Sequence, residues 1–319
     1  MKKLIAVILA VLMLAVLTAC QPKDDGKFVV GICQLTPHVA LDAATQGFMG
    51  ALKQELGEEN VTFDVQMGGG DSATCSPIVL KFVNDNVDLI MANATPALQA
   101  AVAATTDIPI LGTSVTEYGV ALEIKDFNGT VGTNVSGTSD LAPLDQQAAM
   151  IKEWFPEAKN VGLLYCSAEP NSQYQVDTVQ KELEKLGITC KQYPFADTND
   201  LQAVTQKAAS ESDVVYVPTD NAVASATGTV DGVCRDLKVP VIAGEEGICS
   251  GCGVATLSIS YYDLGVTTGK MAAQILKGEA NVAEMPIAYS EKFTKKYNQE
   301  ICQDLGITVP EGYTAIEAN

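Results

Sequence analysis

The chain is poor in histidine and in aromatic residues. Its 319 residues include one histidine, His38, one tryptophan and only 6% aromatic residues. A structural zinc ion needs four ligands, and one histidine cannot supply a histidine-rich site. Neither a G-x-S-x-G nor an H-E-x-x-H motif is present, and no nucleophile, base and orienting group are placed together. We therefore expect no catalytic site, no metal and no cofactor, and we interpret His38 as a ligand-packing or helix-start residue.

Basic residues are also scarce. Lysine and arginine together number 20 against 39 aspartates and glutamates, which gives a formal net charge of −19. A nucleic-acid-binding surface needs basic residues that neutralise phosphates, so nucleic acid is not expected as a partner. An anionic bilayer repels an acidic body, so attachment to a membrane would have to come from a separate segment.

Such a segment is present at the N-terminus. Lys2 and Lys3 precede an apolar run, residues 4–17, that is short for a membrane span and is typical of a secretory signal. The ending Leu17-Thr18-Ala19-Cys20 resembles a bacterial lipobox. The resemblance implies that a lipoprotein signal peptide, residues 1–19, is removed and that the sulfur of Cys20 carries a diacylglyceryl group.

The expected product is a protein anchored to the cell membrane by lipid alone and facing outside the cytoplasm. Residues 20–27 are polar, contain proline and glycine, and would form the lipidated tether. Removal of Lys2 and Lys3 with the signal lowers the formal charge from −19 to about −21. An ordinary signal peptide whose cleavage site lies beside a cysteine is the alternative.

The remaining eight cysteines leave several interpretations open. They could form up to four disulfides in an oxidising compartment. Cys33 and Cys166 follow predicted core strands, where a single cysteine usually acts as a small buried hydrophobe. Cys249 and Cys252 are the one close pair, which could be a redox pair, half of a metal site or a local disulfide. The redox state of the eight is therefore not predicted; they are Cys33, Cys75, Cys166, Cys190, Cys234, Cys249, Cys252 and Cys302.

The most informative pattern is an internal repeat. Residues 88–101 and 213–226 each contain an Asp, a short apolar run, a polar break and an alanine-rich helical stretch. Similar strands precede both copies at 29–32 and 161–164. A period of about 130 residues is too long for a solenoid. The repeat indicates two similar lobes, and two facing lobes imply a cleft between them.

Strand and helix patterns alternate through both copies, which predicts an α/β fold with two doubly wound parallel-sheet lobes. Residues 130–138 and 254–260 are predicted to cross between the lobes. A single helix is predicted over 222–237, and another near 294–305. The expected domain bounds are residues 28–137 with 256–285 for lobe one, and residues 138–255 with 286–319 for lobe two.

Ligands of open parallel sheets bind beyond the carboxyl ends of the strands. In lobe one those positions carry hydroxyl groups and a helix that is predicted to start with Thr95 as its N-cap, which suits a carboxylate. In lobe two they carry Asp220, Glu245 and Glu246, which suit an ammonium group. This contrast predicts a zwitterionic ligand. The alternatives are that Thr95 and Asp220 only cap helices and that the two glutamates are solvated loop acids.

Five stretches, in this order, resemble one family. The chain is similar to the ABC-transporter substrate-binding lipoproteins of the aromatic amino-acid (tryptophan/tyrosine) type, which are type I periplasmic binding proteins. The likeness extends over about residues 28–310. It is carried by Gln34-x-x-x-His38-x-Ala40-Leu41-Asp42, Ala94-Thr95-Pro96-Ala97, Asn134-Val135-Ser136-Gly137-Thr138-Ser139-Asp140, Val217-Pro218-Thr219-Asp220-Asn221 and Gly244-Glu245-Glu246-Gly247.

The resemblance implies two lobes joined by a three-crossover hinge, closure on a ligand, and delivery to the permease and ATPase subunits of an ABC importer. The implied ligand is an amino acid with an aromatic side chain, Trp or Tyr. Implied contacts near the side chain are Gln34 and His38. Those implied near the carboxylate are Thr95, Thr113 and Ser114, with Asn171 and Ser172 on the opposing lobe. Asp220 would hold the amino group, helped by Asn221 and Glu245.

The sequence departs from the family pattern at residues 165–172 and at Leu35-Thr36. Both stretches would line the pocket, so the identity of the ligand is not fixed by the resemblance. A monomer is expected for a receptor that delivers its ligand to a permease. A surface adhesin on the same fold is the alternative function, and an enzyme of the cleft is a third hypothesis that the missing catalytic motifs disfavour.

Overall fold

The computed structural model describes residues 26–317, which form two α/β lobes. The expected signal peptide, Cys20 and nearly all of the tether lie outside the described residues. Within 26–317, no helix combines the length and the apolar character that a membrane span requires.

The first lobe is built on a six-stranded sheet, all of whose pairings are parallel. In order across the sheet, its strands are β11 (Ala288–Tyr289), β5 (Val135–Ser139), β4 (Ile110–Val115), β3 (Leu89–Asn93), β1 (Phe28–Gln34) and β2 (Val61–Met67). Its helices are α1 (Val39–Leu56), α2 (Ser72–Asn84), α3 (Thr95–Ala104), α4 (Tyr118–Ala121) and α11 (Tyr261–Leu276). Short 3₁₀ turns occur at Glu58–Asn60 and Val282–Glu284.

The second lobe is built on a seven-stranded sheet, in which the pairing of β10 with β12 is antiparallel. In order, its strands are β13 (Thr314–Ala315), β12 (Thr294–Tyr297), β10 (Ala255–Ser258), β9 (Val241–Ala243), β8 (Val214–Val217), β6 (Asn160–Cys166) and β7 (Thr189–Phe195). Its helices are α5 (Leu144–Trp154), α6 (Pro170–Lys185), α7 (Thr198–Glu211), α8 (Asn221–Ala224), α9 (Thr227–Asp236), α10 (Glu246–Cys252) and α12 (Gln299–Leu305).

The central strands are covered on both faces. Every residue of β3 is buried, and its successive side chains enter two different apolar clusters. Ile90 packs in the cluster that contains Phe82, whereas Met91 packs in the cluster that contains Phe48. A strand that is buried on both faces has a continuous run of apolar residues in its sequence. This is the pattern found in both copies of the repeat. The predicted fold of two doubly wound parallel-sheet lobes is thus confirmed.

The chain crosses between the lobes three times. Each crossing lies a few residues later in the sequence than the predicted domain bound. β5 belongs to the first sheet and ends at Ser139, whereas the predicted bound was 137. β10 belongs to the second sheet and ends at Ser258, three residues beyond the predicted 255. β11 returns to the first sheet at 288–289, beyond the predicted 285. Both segments interpreted as crossovers therefore contain a short strand that the sequence pattern did not predict.

Three local predictions are wrong. The predicted helix over 222–237 is two helices, because Asp220 caps the short α8 and the chain turns before α9 begins at Thr227. Part of the helix predicted near 294–305 is strand β12, which contains a β-branched and an aromatic residue and lies between β13 and β10. Thr95 is the first helical residue of α3, and its N-cap is Ala94, whose φ is 93°.

All eight cysteines within residues 26–317 are unpaired, and seven of them are buried. The thiols of Cys249 and Cys252 donate to the carbonyl oxygens of Gly253 and Ile248, at 3.6 and 3.4 Å. In this part of the chain, no group of three or more histidine, cysteine, aspartate or glutamate side chains is arranged to hold a metal ion.

Candidate functional site

A narrow cavity lies where the two lobes meet the crossing segments. The space open to the centre of a water molecule measures about 10 Å³, which is about the volume that one water needs. The lobes are therefore closed over it. Its lining residues are His38, Ala40, Leu41, Ser114 and Thr116 from lobe one, Asn171, Thr219, Asp220, Asn221, Ala224 and Glu245 from lobe two, and Asp140 and Tyr261 from the crossing segments.

Among residues 26–317, three buried acids line this cavity and no lysine or arginine does. Asp140, Asp220 and Glu245 are 4%, 1% and 2% exposed. Burial raises the pKa of each carboxyl, and that of Glu245 reaches about 7. A buried carboxylate is stable when a cation compensates it, so the electrostatics of the cavity suit a cationic group.

Asp220 and Glu245 also serve as helix caps. Asp220 Oδ1 accepts from Val223 N of α8 at 2.9 Å, and its Oδ2 accepts from Cys166 N at 2.7 Å. Glu245 Oε2 accepts from Gly247 N at 2.6 Å, and its Oε1 accepts from Ile248 N. Both carboxylates thus begin a short helix in the way an N-cap does, with both oxygens already hydrogen-bonded.

Asp140 differs from these two acids, and sequence reasoning missed it. It follows directly after β5, and its Oδ2 accepts from the hydroxyl of Tyr261 at 2.9 Å. Its Oδ1 is buried and has no hydrogen-bond partner among residues 26–317. The strand-end rule selects Asp140 only if β5 is recognised as a strand, and the sequence predicts a crossover over residues 130–138 instead.

The wall from lobe one presents hydroxyl groups and a helix N-terminus. Ser114 has a φ of 53°, and its hydroxyl is buried without a partner among the described residues. Helix α1 starts beside it, with His38 as an N-cap that makes no capping hydrogen bond. The first intrahelical bond runs from Asp42 N to His38 O at 2.9 Å, so the amides before Asp42 need other acceptors. Such a helix end attracts a negative group.

His38 also connects the lobes. Its Nε2 lies 3.2 Å from Asn221 Oδ1. Asn221 Nδ2 donates to Glu169 Oε2 at 2.6 Å, which orients the amide and leaves Oδ1 as the acceptor for His38. Burial lowers the pKa of His38, although this hydrogen bond and the charge of Asp42 oppose the shift. A neutral imidazole that donates from Nε2 therefore links the two lobes.

Glu169 supports the cavity from behind and was not singled out from the sequence. Its carboxylate accepts from the side-chain amide of Asn221, from Asn171 Nδ2 at 3.1 Å and from Ala222 N at 3.0 Å. Burial and then the nearby charge of Asp220 raise the pKa of Glu169 to about 7. With its amide group held by Glu169, Asn171 presents a buried Oδ1 that has no partner in the described part of the chain.

The structure brings six of the ten predicted binding residues to the cavity: His38, Ser114, Asn171, Asp220, Asn221 and Glu245. The other four do not line it. Gln34 accepts from Thr45 Oγ1 at 2.7 Å and donates to Asp42 Oδ1 at 2.6 Å, which ties β1 to α1. Thr113 joins a chain of hydroxyl groups through Thr138, 3.1 Å away.

The remaining two predicted residues are also buried. Ser172 accepts from Asn171 Nδ2 at 3.3 Å. Thr95 Oγ1 has no hydrogen-bond partner among residues 26–317, but Thr95 lies outside the cavity lining. A wider space of about 390 Å³ also lies between the lobes and shares Asn221 with the cavity. Its lobe-one side includes Pro96 and Gln99, and its lobe-two side includes Ala168 and Ala222.

Two similar lobes, three crossings and a closed polar cavity between them define a two-lobed solute-binding protein of the type I periplasmic class. The chain belongs to the ABC transporter substrate binding protein family, whose model matches residues 29–318. Proteins of this family act outside the cytoplasm and pass small molecules to ABC permeases.

Among curated proteins, a tyrosine-binding protein of Clostridioides difficile is 35% identical over 302 residues, which cover 90% of this chain and 87% of the relative. Among solved structures, an ABC domain from Streptococcus pneumonia in complex with L-Trp is 33% identical. It matches with a TM-score of 0.86 over 91% of this chain and 100% of the other.

A ligand-free, open substrate-binding protein with adhesive properties from Clostridium difficile is 37% identical and matches with a TM-score of only 0.69. That alignment covers 92% of this chain and 100% of the other. The fold is therefore more similar to the L-Trp complex than to the open protein, although its sequence identity to the open protein is higher. This difference agrees with the narrow cavity, since both indicate closed lobes.

Proposed function

We propose that this protein is the receptor of an ABC importer that captures an aromatic amino acid, Tyr or Trp, between its lobes. The observation that carries the proposal is the closed interlobe cavity, in which three buried acids face a helix N-terminus and unpartnered polar atoms. The tyrosine-binding relative and the L-Trp complex support the same ligand class.

The two sides of the cavity suit the two charges of an amino acid. Ser114 and the first amides of α1 would receive the carboxylate, since a helix N-terminus and hydroxyl donors stabilise negative charge. The acids would receive the ammonium group. The aromatic ring would extend towards the wider space of about 390 Å³, where Pro96 and Ala222 offer apolar contacts. This placement moves the carboxylate from the N-terminus of α3, where the sequence predicted it, to that of α1.

The mechanism that follows is capture by closure. In an open form, the ligand would bind one wall, and its contacts with the second wall would favour the closed form. The permease would then recognise the closed form. In this proposal the protein has no enzymatic activity, works as a monomer and is held at the membrane through lipid on Cys20.

The test is calorimetric titration of residues 21–319 with Tyr, Trp and Phe, and with leucine and arginine as matched controls. Two analogues separate the two charges: tyramine lacks the carboxylate, and 3-(4-hydroxyphenyl)propanoate lacks the ammonium. We expect one or more aromatic amino acids to bind at micromolar or lower concentration, and both analogues to bind much more weakly. If no amino acid binds below about millimolar concentration, the receptor hypothesis is wrong.

Adhesion is a second candidate function, since a solved relative is described as having adhesive properties. Binding of an amino acid and adhesion can coexist on one protein. Cells that lack this protein would lose attachment but keep normal uptake if adhesion were the main role. Loss of aromatic amino-acid uptake with normal attachment would favour the receptor.

A further inference from the structure

One oxygen distinguishes the three acids of the cavity. Both oxygens of Asp220 and both oxygens of Glu245 accept backbone hydrogen bonds from the helices that they cap or from a neighbouring strand. Asp140 is 4% exposed, and its Oδ1 has no hydrogen-bond partner in the described range. A buried carboxylate oxygen without a donor is costly, so such an atom marks a place where a donor is missing.

We propose that Asp140, oriented by Tyr261, is the subsite that binds the ammonium group of the ligand. This inference rests on the proposed function and names the residue that selects for an amine. It replaces Asp220, which the family resemblance implied for that role.

The contacts of Asp140 orient its carboxylate without giving Oδ1 a hydrogen-bond partner within residues 26–317. The Tyr261 hydroxyl donates to Oδ2 from the opposite crossing segment, at 2.9 Å. The Thr116 hydroxyl is close enough to favour the charged form, although burial is the larger influence and raises the pKa of Asp140. An ammonium group has three donors, and one of them would satisfy Oδ1.

Asp220 is less suited to this role because its carboxylate already holds local structure together. Its hydrogen bonds to Val223 N and Cys166 N keep the start of α8 against the end of β6. A ligand that turned this carboxylate towards itself would break the hydrogen bond that caps α8, and the lost cap would lower the stability of the protein. Asp220 and Glu245 would instead add negative potential from lobe two.

The position of Asp140 also matters for closure. It lies on the segment that leaves β5 for lobe two, and Tyr261 is the first residue of α11, on the segment that returns from β10. The ammonium group would thus bind at the pivot of the two lobes. Ser114 on one side and Asn171 on the other present polar atoms that have no hydrogen-bond partner in the described part of the chain. Recognition of the amine at this place would be linked to the angle between the lobes.

The experiment compares wild type with Asp140→Asn and with Asp145→Asn, which removes an exposed acid nearby. Titrations use the best aromatic amino acid and its deaminated analogue, for example Tyr and 3-(4-hydroxyphenyl)propanoate. We expect Asp140→Asn to weaken binding of the amino acid at least about 30-fold. It should leave binding of the deaminated analogue unchanged or tighter, because that analogue has no ammonium to lose. Asp145→Asn should match wild type for both.

A second variant tests the proposal without changing the carboxylate itself, in case Asp140→Asn does not fold. Tyr261→Phe keeps the carboxylate but removes its orienting hydrogen bond, and we expect it to reduce the preference for the amine by a smaller factor than Asp140→Asn. Melting curves without ligand report whether each variant is folded. If wild type binds an amino acid, and both variants fold and keep the wild-type preference, Asp140 is not the subsite. If wild type itself binds no amino acid, the proposed function fails first.

Discussion

The acid side chains around the cavity have pKa values that should make ligand binding depend on pH. Burial raises the pKa of Glu245 to about 7, helped by the charges of Glu246 and Asp140, and burial also raises the pKa of Asp140. As the pH falls through about 7, Glu245 takes up a proton and the attraction for an ammonium group weakens. We expect the affinity for the aromatic amino acid to fall several-fold between pH 7.5 and pH 5.5, as measured by calorimetry.

The same shift has the opposite effect on the protein without ligand. The pKa of Glu245 in the folded protein lies above its ordinary value of 4.5, so the folded state binds the proton more tightly than the unfolded state. Its contribution to stability is therefore complete below about pH 4.5 and is lost as the pH rises through about 7. Glu245→Gln is the control, and it should flatten both curves. An affinity that rises on acidification would contradict this account.

For single residues, the sequence predicted which side chains lie near the cavity better than it predicted what each side chain does there. Among the residues that the sequence predicted, His38, Ser114, Asn171 and Glu245 line the same cavity, because the ends of parallel strands meet at one edge. The strand-end rule cannot tell which carboxylate has a free oxygen, since that depends on backbone amides such as those of Gly247 and Ile248. Asp140 was missed for a different reason: a short strand was interpreted as a crossover.

Helices α1 and α11 pack so closely that only glycine fits at two positions of their contact. A Cβ atom on Gly265 would lie 2.0 Å from the carbonyl oxygen of Ala44, and one on Gly47 would lie 2.1 Å from that of Tyr262. Each glycine thus allows the backbones of α1 and α11 to come into direct contact. This contact sets the entry of α11, and so the position of Tyr261 at its first turn.

We expect Gly265→Ala to destabilise the protein by at least about 1–3 kcal/mol, because the added methyl group must push two helices apart. The matched control is Gly232→Ala on α9, where an added Cβ meets nothing within 4 Å. That change should stabilise by up to about 0.5–1 kcal/mol through helix propensity. Denaturant unfolding measures both. Equal effects of the two substitutions would show that the close approach is not important.

Elements were predicted well where the chain is periodic and less well where it is short. The long helices and the buried strands of both copies follow from apolar spacing, as in α1, where Leu41, Phe48 and Leu52 are all buried. Strands β5, β10 and β12 have four or five residues each, and β5 pairs with β11 and β10 with β12 across long intervening segments. Such pairings depend on tertiary contacts, which a local pattern does not contain.

At the scale of the whole molecule, membrane attachment through the tether and ligand binding by the lobes would be independent of each other. Lobe one begins with β1 at Phe28, only eight residues after Cys20, and the described contacts of the cavity involve residues from His38 onward. Lipid on Cys20 would therefore hold the receptor at the membrane without touching the ligand site.

We expect Cys20→Ala to move the protein from the detergent phase of a phase-partition assay to the aqueous phase. The affinity for the amino acid should not change, because the substitution lies outside the lobes. Wild-type protein labelled with a fatty acid is the positive control. Continued partition of the variant into detergent would show that another segment provides the anchor.

The narrow cavity affects the rate at which a ligand is released as well as its affinity. The part of the ligand held in this cavity would be enclosed by both lobes, since the space open there is only about 10 Å³. Escape would then be gated by separation of the lobes, which includes breaking the hydrogen bond between His38 and Asn221. An excess of free competitor could not accelerate this step. The residence time of a captured molecule would be set by the hinge, and a permease that pulls the lobes apart would control when the molecule is released.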